Sequence, residues 1–449
     1  MPRPSPRLPA RAGRWPLVAV AASLLLCVGS PAGAAEVTEI VDDFAQTDAL
    51  ELNPSVGLNW RWRQRRGDLR REFSCIANET IGGQSLCPSG SRVMLADELQ
   101  VRRTTAVLDV DARLGLGRLL EVRATLPIVL FDRNQLDFAG GVTEGNSLTD
   151  PYNQPSLFDV PHRANERSGL GDLRVELRVA PLSKARDPLD PSWVIGASLD
   201  LPTASIRTAD NSEVGDGVWR LGLSTAVSAR VVRWLEPFFE LNGTIAIPGE
   251  ASPFVDLGPT ATLSSPAHRL GARFGIELVP FERAETRSAV RLEVGGRVDL
   301  VFDGRGFSDL ADALGTSTCD PSDAAEPCNL TTFDRGDVDP LTGRRLKTDG
   351  ITRIEHHLVI GGWLGLRYEV FEALELRARA SVYRESDHFL TFTDAGVDLD
   401  GVGDVQGRNA AGINELDPTW LSGVDEPGAR FRTGDIWTLG IDFAIRGKF

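Results

Sequence analysis

After residue 34, the chain lacks any apolar run approaching the roughly 18 residues that a membrane-spanning helix needs. Apolar residues are still common, but arginine, aspartate and glutamate interrupt them at short intervals. Such interruption is unusual for strands buried in a soluble core. If the protein is a membrane protein, it must therefore cross as a β-barrel or lie on the membrane surface.

Positive charge is also in short supply. The formal net charge is −15, and removing residues 1–34, which carry four arginines and no acid, takes it to −19. Nucleic-acid binding needs a basic surface that neutralises phosphates. The charge balance therefore excludes nucleic acid as an expected partner.

The N-terminus has the pattern of a secretory signal peptide. Four arginines precede an apolar run over residues 15–28, and Ala32-Gly33-Ala34 follows as a cleavage site of small residues. Leu26 is bulky where a lipoprotein signal needs a small residue before Cys27, so we expect that cysteine to leave with the signal. The mature chain is predicted to begin at Ala35 or Glu36.

Residues 434–449 show the clearest strand pattern, because bulky apolar residues occupy every second position and the chain ends on Phe449. A half-polar strand with a terminal aromatic residue resembles the C-terminal signal by which the assembly machinery recognises Gram-negative outer-membrane barrels. Thr438, Gly440, Phe443 and Ile445 occupy the positions that this signal requires. The final strand of a soluble β-sandwich is the alternative interpretation.

Eleven further stretches alternate in the same way, which predicts an all-β fold: a transmembrane, antiparallel, up-and-down β-barrel of twelve strands. We assign residues 1–34 to the signal peptide, 35–54 to a periplasmic lead-in and 55–449 to the barrel. Connections after even-numbered strands are short and the others mostly long. This places the long loops outside the cell and both termini in the periplasm. A soluble sandwich would have to bury charged strand faces, at several kcal/mol for each unpaired charge.

The charged faces of these strands are predicted to line a water-filled lumen. Because the barrel is narrow, opposite charges on adjacent strands should pair across it. The predicted lumen residues are Arg123, Arg174, Glu176, Arg178, Arg291, Glu293, Arg297, Asp299, Arg353, Glu355, Arg367, Glu369, Glu375, Arg377 and Arg379.

Apart from Cys27, the four cysteines all lie in two long loops. Disulfides persist in the oxidising cell envelope, so we expect two of them. Proximity favours Cys75 with Cys87 and Cys319 with Cys328, although four cysteines allow three pairings and reduced thiols remain the alternative.

Two further groups could bind a metal ion or carry out catalysis. Asp398, Asp400 and Asp404 alternate around glycines, as in a Ca²⁺ loop, but the distal glutamate of an EF-hand is missing, and a solvated acidic turn is the alternative. Ser386 and His388 lie close together without an evident third catalytic group. We therefore predict no enzyme activity and no cofactor other than Ca²⁺.

The segment Ser168-Gly-Leu-Gly-Asp-Leu173 at the head of a strand is similar to outer-membrane transporters of the phenol-degradation "MetA pathway" family. That resemblance implies passage of small, hydrophobic or aromatic compounds. We predict a channel or transporter for small solutes, with membrane lipid, lipopolysaccharide and the barrel-assembly machinery as partners. The alternative is a structural or interaction barrel at the surface, with acidic outer loops and a plugged lumen.

Overall fold

The computed structural model describes residues 35–40, 52–74, 80–81, 84–85, 93–116, 119–149, 157–183, 191–255, 257–283, 288–316, 334–338, 345–347, 350–371, 373–403, 405, 409 and 411–449. The predicted signal peptide, the four loop cysteines and Asp404 lie outside these residues.

Twelve long strands form one sheet. In chain order they are β1 (Leu52–Ser74), β2 (Val93–Leu116), β3 (Leu120–Phe138), β4 (Leu173–Leu182), β5 (Ser192–Leu201), β6 (Val218–Ser228), β7 (Leu235–Pro248), β8 (Arg269–Arg283), β9 (Ser288–Val301), β10 (His357–Phe371), β11 (Leu374–Glu385) and β12 (Phe431–Lys448).

Each strand pairs antiparallel with its neighbours in the sequence, and β12 pairs with β1 to close the sheet. The closing register runs from Ser55 opposite Lys448 to Arg71 opposite Phe431. Closure leaves no free edge on the sheet that the twelve described strands form, so the barrel satisfies its backbone hydrogen bonds internally. The predicted fold class, a closed antiparallel barrel of twelve strands, is confirmed.

The strands differ in length in a way that alternation alone did not predict. The strands β1, β2, β3 and β12 extend well beyond the others, and β1 begins at Leu52 instead of residue 55. In contrast, β10 begins only at His357, so Arg353 and Glu355 precede the barrel strand. Arg353 belongs instead to a short strand, Thr352–Ile354, that pairs with Gly304–Gly306.

The outer wall is apolar and the inner wall charged, as the period-2 pattern requires. Outward side chains such as Leu223 and Leu364 are 61% and 64% exposed, whereas the inward Arg291 and Glu277 are 1–2% exposed. This is the reverse of a soluble core. An apolar belt around a closed sheet is the surface that lipid requires.

The largest apolar core lies inside the barrel at the long-loop end. Inward residues of the long strands, including Leu69, Leu99 and Leu136, pack against loop residues Leu310, Leu314 and Leu421. We call the loop segments 157–160, 308–315, 388–395 and 416–427 the cap. The extra length of β1, β2, β3 and β12 therefore provides the inner surface on which the cap is seated.

Helices are few and short in the part of the chain that the structure describes. The structure has α1 (Ala311–Gly315), α2 (Ser422–Asp425) and single 3-10 turns at Glu36–Thr38 and Glu144–Asn146. Among the residues described, none of these helices is long and apolar enough to cross a membrane.

A closed barrel should resist detergent at room temperature, because all of its strands are hydrogen-bonded on both sides. We expect the unheated protein to migrate faster than the boiled protein in SDS gels. Equal migration would contradict closure, and circular dichroism dominated by helix would contradict the fold.

Candidate functional site

Residues Ala35–Ile40 lie inside the barrel near the short-turn ends of the strands, and we call them the plug. The backbone N–H of Ala35 donates to Glu236 Oε1 at 2.8 Å, and that of Glu36 donates to Glu277 Oε1 at 3.1 Å. From β4, Arg178 donates to the carbonyl oxygens of Val37 and Glu39, both at 2.8 Å. The plug therefore crosses the lumen and is held at both sides by strand residues.

Both plug glutamates are paired with cations of the barrel wall. Glu39 lies 2.7 Å from Arg367 and 3.1 Å from Lys448. Glu36 pairs with Arg377 and, at 2.5 Å, with Arg379. Hydrogen bonds between charged groups are stronger than neutral ones, so these contacts anchor the plug.

Apolar contacts also hold the plug against the barrel wall. Val37 packs against Phe238 and Trp363, whose rings stack with centroids 6.4 Å apart. Ile40 is buried against Ala180 and Val194. Nothing in the sequence indicates these contacts, because the six residues after the predicted cleavage site carry no periodic pattern.

The ion pairs around the plug connect strands that are not neighbours. Arg367 on β10 lies 3.2 Å from Glu277 on β8, and Arg291 on the intervening β9 lies 3.5 Å from the same carboxylate. Arg291 also reaches Glu369 at 3.2 Å. Because the barrel is narrow, long side chains meet across its curvature as well as along the sheet.

A central cavity of about 730 Å³ lies in the lumen beside the plug. Its wall carries the Arg174–Asp200 pair at 2.5 Å and the Arg297–Asp299 pair. The side chains of Arg174 and Arg297 are 49% and 36% exposed although both point inward. Their exposed atoms therefore face lumen water.

The predicted lumen residues fall into three groups. Those in the ion-pair and hydrogen-bond network around the plug are Arg178, Arg291, Glu293, Arg367, Glu369, Glu375, Arg377 and Arg379. Those on the central cavity are Arg123, Arg174, Glu176, Arg297 and Asp299.

Arg353 and Glu355 lie apart from both groups, near the cap. Arg353 pairs with Asp303 at 2.8 Å and Asp394 at 2.7 Å, and Glu355 accepts a hydrogen bond from the backbone N–H of Phe389. The alternation that predicted their direction begins only at His357.

The cap crosses the other end of the lumen through Asp309 and α1. Arg65 of β1 pairs with Asp309 at 2.9 Å, and Asn134 of β3 donates to the carbonyl oxygen of Asp309 at 2.8 Å. Arg167 pairs with Asp312 at 2.5 Å. Among the described residues, the plug thus lies across the lumen near one end and the cap lies across it near the other.

Within the cap, burial raises the pKa of the Asp425 carboxyl to about 7. The backbone N–H groups of Thr393 and Leu421 donate to it, both at 3.0 Å, and Asp417 and Arg305 act on it with opposite charges. The folded state therefore holds a proton up to about pH 7 that the unfolded chain loses near pH 4. Folding stability should fall as pH rises through this window, by at most about 1.4 kcal/mol per pH unit.

We expect the cap to be held less firmly at pH 8 than at pH 5. Hydrogen exchange of the Thr393 and Leu421 amides, corrected for the intrinsic pH dependence, should show lower protection at pH 8. Asp425→Asn should remove most of this difference. The same pH dependence in Asp425→Asn would assign it to another group.

The predicted Ca²⁺ residues Asp398 and Asp400 lie on the exposed surface, and the structure adds Glu415 to them. The Asp398 carboxylate accepts hydrogen bonds from the backbone N–H groups of Gly401 and Gly403 at 2.6 and 2.9 Å. These bonds are those of a tight acidic turn. Ca²⁺ binding stays a prediction.

The motif at 168–173 covers most of the short strand Arg167–Leu170, a two-residue break and the first residue of β4. Gly169 has a φ of +143°, which favours glycine. The N–H of Gly171 donates to the carbonyl oxygen of Pro127 at 2.8 Å, and a Cβ on Gly171 would lie 2.9 Å from the Pro127 ring. Local backbone geometry therefore explains why glycine occupies both positions.

No protein-family model and no curated protein sequence matches this chain. Among solved structures, the chain is similar to an outer membrane channel from Pseudomonas putida F1, with 9% identity over 89% of this chain and 97% of that chain and a TM-score of 0.40. It is also similar to a Pseudomonas aeruginosa FadL homologue, with 8% identity, coverage of 89% and 90%, and a TM-score of 0.28.

A third similar structure is the anion-selective porin from Comamonas acidovorans, with 9% identity over 89% of this chain and 99% of that chain and a TM-score of 0.25. These values are too low to assign a family or to transfer a function. The resemblance to the phenol-degradation family stays a prediction.

Proposed function

We propose that this protein is a gated outer-membrane channel for small polar or charged solutes, and that the plug closes it at rest. The observation that carries this proposal is the charged central cavity of about 730 Å³, which the plug borders. A barrel needed only for structure would be more stable with a packed, apolar interior, because charges taken from water are costly. A charged, hydrated cavity suits solute passage.

The outer surface supports a membrane location. Its exposed apolar residues occur at alternate positions on the strands, as on Leu221, Leu223, Ile245 and Ile247 of β6 and β7. The signal-peptide pattern and the C-terminal strand favour the outer membrane. The charged lumen favours polar solutes over the hydrophobic or aromatic compounds implied by the sequence resemblance.

The positions of the plug and the cap support an orientation. The plug contacts the strands near their short turns, at Ser228, Glu236 and Lys448, whereas the cap is made of long loops. Bacterial outer-membrane barrels have short periplasmic turns and longer extracellular loops. In this orientation the plug faces the periplasm, the cap faces the medium, and lipopolysaccharide surrounds the cap end.

A permanently sealed barrel with a surface role is the second candidate. The packed apolar core of the cap favours it, because Leu310, Leu314 and Leu421 are fully or almost fully buried. Exposing such an apolar core to water would be unfavourable in free energy. The two candidates differ in whether removing the plug permits ion flow.

The test compares the refolded mature protein with a variant in which residues 35–40 are replaced by glycine and serine, keeping the length. We expect the wild type to be mostly closed in planar bilayers and the variant to conduct persistently. Both should show the same heat-dependent gel mobility, which confirms folding. A folded variant that does not conduct would favour the sealed barrel.

A further inference from the structure

Two histidines that lie far apart in the sequence meet in a second cavity of the lumen. This outer cavity has a volume of about 500 Å³ and lies against the cap residues Ser308, Asp309 and Leu390. His357, the first residue of β10, and His388, just after β11, stack with ring centroids 3.8 Å apart. Both histidines line this cavity, together with Glu385.

The hydrogen bonds of both rings set their tautomers. His357 Nδ1 lies 3.0 Å from the carbonyl oxygen of Glu355, and His388 Nδ1 lies 2.8 Å from that of Ser386. A carbonyl oxygen can only accept, so each Nδ1 carries a proton and donates it. Each neutral ring therefore presents an Nε2 lone pair. Metal-binding histidines are commonly oriented by such a bond from their other ring nitrogen.

Glu385 completes a set of three possible ligands. One ligand atom from each of His357, Glu385 and His388 lies within 4.8 Å of the others. Two imidazoles and one carboxylate form a donor set that suits Zn²⁺ and related divalent ions. His357 and Glu385 lie on the adjacent strands β10 and β11, and His388 lies just after β11. The three side chains are therefore already close together, and no loop has to move to bring them closer.

We propose that His357, Glu385 and His388 bind a divalent transition-metal ion of the Zn²⁺ class on the wall of the outer cavity. The ion would be held by both Nε2 atoms and by a Glu385 oxygen. The two rings now stack at an interplanar angle of 9°, and imidazole lone pairs lie in the ring plane, so the rings have to tilt apart to share an ion. Three protein ligands leave a coordination position open toward the cavity, where water or an anionic group can bind.

Without a metal ion, Arg65 neutralises the negative charge of Glu385. Arg65 pairs with Glu385 and also lies 2.9 Å from Asp309. A bound dication takes over Glu385, while Asp309 continues to neutralise Arg65. The site does not depend on the proposed channel activity, because a sealed barrel could bind the same ion.

The experiment titrates the refolded mature protein with Co²⁺, whose visible absorption reports nitrogen ligation and low coordination number in Zn²⁺-type sites. We expect one tightly bound equivalent that Zn²⁺ displaces. His357→Gln and His388→Gln should each weaken binding by about tenfold or more. The matched control is His356→Gln, which alters the exposed neighbouring histidine and should bind as the wild type does.

Glu385→Gln keeps the size of the side chain and gives a second test if a histidine variant fails to fold. It should also weaken Co²⁺ binding by about tenfold or more. Folding of each variant is checked by heat-dependent gel mobility. Unchanged affinity in folded His357→Gln or His388→Gln, or no Co²⁺ absorption in the wild type, would overturn the proposal. Binding with an oxygen-only spectrum that survives both histidine substitutions would place the ion elsewhere.

Discussion

Replacing Glu36 and Glu39 together by glutamine should raise the open fraction of the channel by about a hundredfold. Glutamine keeps the size and the packing of each side chain, so only the charge is lost. The plug would lose its ion pairs with Arg367, Arg377 and Arg379. Hydrogen bonds to charged groups contribute about 1.5 kcal/mol or more each, and the loss of two such groups gives roughly the stated change.

The measurement is single-channel recording of wild type and variant at the same ionic strength. Glu144→Gln is the matched control, because Glu144 is exposed on a loop and should leave the open fraction unchanged. The double variant Glu36→Gln with Glu39→Gln could stay closed while the glycine-serine plug variant conducts. That result would support the channel proposal and contradict the role of the two ion-paired glutamates in holding the plug. If neither conducts, the channel proposal fails.

Arg367→Ala should destabilise the folded barrel by about 3 kcal/mol, the cost of removing one partner from a buried ionic network. Arg367 is 5% exposed and lies within 4 Å of Glu39, Glu277 and Glu369. Its removal leaves three carboxylates with fewer cations to neutralise them. The remaining cations of the network compensate only in part.

Urea unfolding in detergent micelles, followed by tryptophan fluorescence, measures this loss. Arg174→Ala is the control, since the Arg174 side chain of the Arg174–Asp200 pair is 49% exposed to lumen water. Exposed ion pairs contribute less than about 1 kcal/mol. Similar losses in the two variants would show that water reaches Arg367 as freely as it reaches Arg174.

The barrel itself could be predicted from the sequence because strand alternation is a local property. On β9, Leu292 and Val294 point outward while Arg291 and Glu293 point inward, and any pleated strand with this pattern has one apolar and one charged face. Twelve such stretches with alternating short and long connections permit few other closed arrangements. The direction of most lumen residues followed from the same rule.

Strand length was less predictable, because the ends of the long strands pack against the cap rather than facing lumen water. Leu69 and Leu99 lie on the inner faces of β1 and β2, and loop residues such as Leu421 fold inward and pack with them in one buried cluster. No periodic signal in the loops indicates that inward fold. The same reason explains why Arg353 and Glu355, in the segment that leads to the cap, were assigned to a barrel strand.

The sequence by itself determined the alternation, the number of strands and which side chains of the barrel strands face inward, since each follows from local patterns along the chain. Only the tertiary structure decided that Ala35–Ile40 enters the lumen, that Arg367 joins carboxylates of other strands, and that His357 stacks on His388. Those contacts depend on the diameter of the closed barrel and on where the loops fold. Both are set by the whole chain at once, so no local pattern contains them.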